Sequence, residues 1–162
     1  MKIGIIAFIL TIALSSRVSA QTSTGIIFDT DMGNDVDDAL ALAMLHTFQD
    51  RHEVNLLAVT ITKDNKWAAP FVDLVNTFYG RPETPVGTVR NGKTPESNPI
   101  IQIPSERRRA DGTFVYPHRI LDGAQAPEAV SLLRHTLATL AYRAAKHRAT
   151  LRKNSPDSKL AK

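Results

Sequence analysis

The feature that most limits how this chain can fold is a junction early in the sequence. A short apolar run, Gly25-Ile26-Ile27-Phe28, passes directly into a segment with five aspartates in ten residues: Asp29, Asp31, Asp35, Asp37 and Asp38. The run has the composition of a buried strand. Two carboxylates about 4 Å apart repel by about 4 kcal/mol at an effective dielectric near 20. A chain that gathers several of them needs a cation there, or protonates one. In open α/β sheets ligands bind beyond the carboxyl ends of strands, and Gly33 supplies the backbone freedom for a tight turn at that place. From Asp37 onward Ala39, Leu40, Ala43, Met44 and Phe48 fall at helical spacing. Asp37 and Asp38 then occupy the helix N-terminus, where the positive dipole end favours carboxylates.

Downstream, residues 54–62 (V-N-L-L-A-V-T-I-T) are almost continuously apolar, as expected of a strand covered on both faces. A polar break leads to residues 68–79, where Phe71, Leu74, Val75 and Phe78 form a helical stripe stopped by Gly80. Residues 84–89 read as a third short strand. Strand, helix, strand, helix, strand predicts an α/β fold: an open, mostly parallel sheet with flanking helices. Residues 90–126, with many Pro and Asn/Asp-Gly turn signals, read as one long irregular stretch. Pro127 is placed for the first turn of a last helix, which Val130, Leu133, Leu137, Leu140 and Ala144 carry to about residue 149. Residues 21–149 make one domain with no internal repeat, and residues 150–162 are expected to be a disordered basic tail.

The chain has no cysteine, which excludes disulfides, thiolate zinc sites and a cysteine nucleophile. Residues 1–20 carry Lys2, an apolar run over 3–14 and then Val18-Ser19-Ala20, the pattern of a cleaved export signal. The run is shorter than the about 20 residues that span a bilayer. The expectation is an exported protein, secreted or periplasmic, with no membrane partner after cleavage. Residues 21–142 hold 11 basic and 15 acidic side chains, whereas residues 143–162 hold 7 basic and one acidic. The basicity is confined to the tail, so nucleic acid is not an expected partner.

Aspartate is a hard oxygen donor and suits calcium or magnesium. An EF-hand loop starting at Asp29 fails, because Leu40 stands where its glutamate is required. Asp29-Thr30-Asp31 after a strand also suits a D-x-D phosphatase of the haloacid-dehalogenase type, but Gly33 departs from that pattern and Asp37-Asp38 have no use in it. A non-catalytic fragment that binds metal weakly is the remaining alternative.

The segment D-T-D-M-G-N-D-V-D-D-A-L-A-L (29–42) resembles the N-terminal signature of the inosine/uridine-preferring nucleoside hydrolases. The family's shorter form, D-x-D-x-G-x-D-D-A, lacks the two residues Asp35-Val36. The likeness continues through Leu56-Leu57-Ala58-Val59-Thr60-Ile61-Thr62, Lys63-Asp64-Asn65, the helix ending at Gly80, and Thr84-Pro85-Val86-Gly87. It implies a calcium-dependent ribosyl hydrolase whose substrate is a small ribonucleoside and which is compatible with a homo-oligomer. By position, the resemblance implies that Asp31 and Asp38 ligate Ca2+ and that Asp31 is the base for the attacking water. It implies ribose contacts for Asp37 and Asn65, and supporting roles for Asp29 and Asp35. Family members are longer, and their C-terminal half supplies further calcium, ribose and base contacts without counterpart here. The chain is therefore expected to be a truncated member, inactive unless another chain or water completes the ligand set.

Among the remaining candidates, His46 and His52 are expected at the surface or half-buried, and His135 and His147 on a helix surface. His118, in the long loop, is a candidate contact for a leaving group. Trp67 is expected to pack at a helix start, with base stacking as the alternative.

Overall fold

A computed structural model describes residues 23–92, 96 and 98–154. The proposed export signal and the last eight residues lie outside them. The elements are β1 (Thr24–Thr30), α1 (Asp37–Asp50), β2 (Val54–Ile61), α2 (Ala68–Phe78), β3 (Val86–Thr88), α3 (Pro99–Glu106) and α4 (Ala129–Asn154), with a 3-10 turn at Gly123–Gln125. The three strands form one parallel sheet in the order β1-β2-β3. This is the expected open α/β arrangement.

One face of the sheet carries the main core. Leu56, Val59 and Ile61 of β2 and Val86 of β3 meet Leu42 of α1, Ala68, Ala69, Phe71 and Val72 of α2, and Ile101 of α3. A register shift opposite Ile26 and Ile27 makes Leu57 an extra residue in β2. Leu56 and Val59 can then face the same core, while Leu57 lies among His135, Thr136, Thr139 and Leu140 of α4 on the other face. That face admits α4 closely because Gly87 has no side chain: a Cβ there would lie 2.9 Å from Leu132 Cδ2 and 3.1 Å from Ala129 Cα.

Three expectations are corrected. The long stretch 90–126 is not wholly irregular, since it contains α3. Asn98 caps this helix by accepting the Ile100 N–H at 2.9 Å, and Pro99 opens it. Pro127 does not sit in the first turn of α4. Its carbonyl instead accepts the Thr88 N–H at 2.9 Å, extending the sheet by one parallel bridge, and Glu128 caps α4 through Val130 N and Ser131 N. The helix also runs to Asn154 rather than about residue 149, so residues 150–154 are helical. No described helix is long and apolar enough to cross a membrane.

Candidate metal centre

The acidic segment occupies the expected place, beyond the carboxyl end of β1 and at the start of α1. The chain turns there at Gly33, whose φ of +111° is a conformation that L side chains rarely adopt. A Cβ at Gly33 would also lie 2.5 Å from Ile101 Cδ1, so the turn is pressed against α3. Thr30 is buried, and its hydroxyl accepts the Met32 N–H at 3.0 Å, fixing the strand exit. Asn98 ties the same turn to α3 by donating to the Asn34 carbonyl at 3.1 Å.

The carboxylates divide into roles. Asp29 is fixed by the Thr60 hydroxyl of β2, which donates to it at 2.5 Å. Asp31 accepts from the Asn34 side-chain amide. One carboxylate oxygen from each of Asp35, Asp37 and Asp38 lies within 4.8 Å of the others. Two oxygens on one calcium ion can stand up to about 5.2 Å apart, given ligand distances up to about 2.6 Å. These three carboxylates therefore fit a single cation. Asp38 also neighbours Asp31, which links the triad to the residue expected to ligate beside it.

Crowding marks the titration of these groups. The Asp35 carboxyl is held above its ordinary range, chiefly by hydrogen bonding to Asp37 with repulsion from Asp37 and Asp31 added. That same hydrogen bond lowers Asp37. Asp38 is raised, first by burial and then by Asp31 and Asp37, against a hydrogen bond from Thr30. The helix terminus accounts for part of the cluster: Asp37 and Asp38 stand in the first turn of α1, as expected, and Asp37 accepts the Asp38 N–H at 2.9 Å, although the N-cap residue itself, Val36, has no side-chain cap. Among the described residues no Lys, Arg or His forms an ion pair with any of the five aspartates.

Asn65 is buried in the loop after β2 and braces that loop. Its side-chain oxygen accepts the Trp67 N–H at 2.7 Å, and its amide donates to the Glu96 carbonyl. Trp67 and His118 come together in a cleft of about 320 Å³ with Ser105, Glu106, Arg108 and Phe114. His118 Nδ1 bonds the Tyr116 carbonyl at 2.8 Å. The cleft sits at the far end of α3 from Asn34, about 10 Å along a helix of this length.

Two buried polar residues, one beside the acidic turn and one farther along α1, escaped the sequence reading. Lys63, at the carboxyl end of β2, is buried, and its Nζ donates to Asn34 Oδ1 at 2.6 Å. A lysine ending an apolar strand was the available signal. His46, expected at the surface or half-buried, is instead fully buried. Its Nε2 meets Asn76 Oδ1 at 2.8 Å, and its ring stacks on Tyr79 with centroids 4.9 Å apart. His52, His135 and His147 are exposed. Comparison of the chain with family models, with curated proteins and with solved structures returned no match.

Proposed function

We propose that the acidic turn after β1 is a calcium centre and that it serves hydrolysis of the N-glycosidic bond of a ribonucleoside. One observation carries the reading: one oxygen from each of three carboxylates converges within 4.8 Å, and among the described residues no ion pair offsets them, although the Asp38 N–H gives Asp37 a backbone hydrogen bond. Asp35, Asp37 and Asp38 bring one converging oxygen each, three of the about six to eight that calcium takes, so water, substrate hydroxyls and Asp31 would supply the rest. Asp31 stands beside Asp38 as a further ligand.

Held by Asp31, Asp35, Asp37 and Asp38, calcium would supply positive charge to offset the carboxylate repulsion and to bind sugar hydroxyls and water. Asp31 takes the proton of the attacking water, with Asn34 orienting its carboxylate. Asp37 accepts a ribose hydroxyl. The surrounding carboxylates favour the positive charge that develops at the anomeric carbon as the bond to the base breaks, and the departing base takes up a proton from solvent. Asp29, fixed by Thr60, holds the strand end in place, and Asn65 shapes the neighbouring loop where the sugar would rest.

The test is release of free base from inosine and uridine with and without calcium, in the native chain and in Asp31→Ala. Calcium-dependent release that disappears in the variant, with circular dichroism unchanged, is the expected result. No release from the calcium-loaded native chain, or undiminished release from Asp31→Ala, overturns the reading. Magnesium-dependent phosphate release from a phosphoester in place of base release would point to the D-x-D phosphatase instead.

A further inference from the structure

The cleft at the far end of α3 from the acidic turn has walls of its own. Its volume is about 320 Å³, within the range of small-molecule sites, about 300–1,000 Å³. One wall is a hairpin. The Arg109 N–H bonds the Thr113 carbonyl at 2.8 Å, and the Val115 N–H bonds the Arg107 carbonyl at 2.9 Å. Arg108 and Phe114 are the non-bonded pair between them, where facing side chains lie closest. The Arg108 guanidinium accordingly covers the Phe114 ring, 3.9 Å from its centroid. Its Nη1 donates to the Gly112 carbonyl at 2.8 Å. The parallel donors left to a ligand are Nε and Nη2, a fork that matches a carboxylate.

The opposite charge comes from Glu106 in the last turn of α3, where Gln102 Nε2 donates to Glu106 Oε2 at 3.0 Å. Glu106 and Arg108 line the same cleft, and among the described residues no ion pair joins them. Both are thus held in place with their charges unspent on each other. Trp67, Phe114 and Leu121 supply apolar and aromatic surface between them. Lys66 Nζ stands 4.5 Å from the centroid of the Trp67 ring, a further cation beside this surface. His118 Nδ1 meets the Tyr116 carbonyl at 2.8 Å. A carbonyl only accepts, so Nδ1 carries a proton, and in the neutral ring Nε2 offers a lone pair.

We propose that this cleft binds a free α-amino acid whose aromatic side chain carries a hydrogen-bond donor, the tyrosine or tryptophan class. Glu106 would repel a simple anion and Arg108 a simple cation, whereas a zwitterion satisfies both. Its carboxylate lies on the Arg108 fork and its ammonium against Glu106. The side chain rests on Trp67 and Phe114, and its O–H or N–H donates to His118 Nε2.

Trp67 is the single tryptophan of the chain, so its fluorescence reports on the cleft. The full chain is titrated with L-tyrosine in calcium-free buffer, with excitation where tyrosine does not absorb. Without calcium the outcome is independent of the acidic turn. The expected result is a saturable change in emission. Tyramine, which lacks the carboxylate, and hydroxyphenylpropionate, which lacks the ammonium, should each bind about tenfold more weakly or worse. Arg108→Met and Glu106→Gln should weaken tyrosine binding by a similar factor with circular dichroism unchanged. Should either variant fail to fold, the three ligands on the native chain decide. No saturable change with tyrosine overturns the proposal. So does an analogue that binds as tightly as tyrosine, or a folded variant with native affinity. Tighter binding of hypoxanthine also overturns it and would assign the cleft to a departing base.

Discussion

The buried ammonium of Lys63 donates a 2.6 Å hydrogen bond to Asn34 Oδ1, and the other end of the same carboxamide holds Asp31. Asn34 thus joins a positive charge at the end of β2 to an acid at the end of β1 without direct contact between the two. That charge opposes a cation in the turn. Lys63→Met keeps the apolar stem and removes the charge, so calcium should bind several-fold more tightly, as read by calorimetric titration. Weaker or unchanged binding would mean that Lys63 acts chiefly by holding Asn34 in place.

The turn itself depends on Gly33. An alanine there meets both an unfavourable φ of +111° and the Ile101 side chain. Gly33→Ala should cost about 1–3 kcal/mol, the range for a strained backbone position, measured from urea unfolding midpoints. Part of the loss should return in the double variant with Ile101→Val, which lacks the crowding Cδ1. A loss undiminished in the double variant would assign it to the backbone alone.

His46 makes stability depend on pH. Burial, the largest cause, pushes its pKa below the ordinary 6.5; the Asn76 hydrogen bond and Asp50 oppose this, and Arg81 adds to it. The folded chain therefore keeps a neutral imidazole at pH values where the unfolded chain has already taken up a proton. The contribution is complete above pH 6.5 and is lost as pH falls through the depressed folded value. The urea midpoint should drop on mild acidification in the native chain. His46→Gln retains a donor for Asn76 and should abolish that part of the slope; an unchanged slope would exclude His46 as its origin.

Asp73 sits almost wholly buried in α2, and its carboxylate accepts the backbone N–H groups of Arg119 at 2.5 Å and Ile120 at 2.9 Å. It is the tie between the helix layer and the long connection. Asp73→Ala should destabilise by about 2–3 kcal/mol, the scale of hydrogen bonds to a charged group. Amide exchange around residues 119–123 should accelerate more than in the sheet. Equal acceleration everywhere would contradict a local tie.

Much of the site was legible because it is written locally. The switch from the Ile26-Ile27-Phe28 strand to aspartates, the glycine at the turn and the stripe beginning at Ala39 are all features of consecutive residues. α3 was hidden because Pro99 and Pro104 read as loop signals, although Asn98-Pro99 is a cap followed by a proline suited to the first helical position. Pro127 misled in the opposite sense, since its carbonyl serves β3 instead of opening α4. Lys63, His46 and Asp73 are defined by partners 29, 30 and 46 residues away. No local pattern carries such contacts. The choice of Asp35, Asp37 and Asp38 as the converging set likewise depends on side-chain directions at the helix start, which spacing alone leaves open.

Calorimetric titration of the native chain with calcium, repeated on Asp38→Asn, bears most directly on the centre. Asp38 belongs to the converging triad and also neighbours Asp31. The account predicts saturable, single-site binding in the native chain and at least a tenfold loss in the variant, about 1.4 kcal/mol. Absence of binding in the native chain, or equal affinity in both, would contradict it.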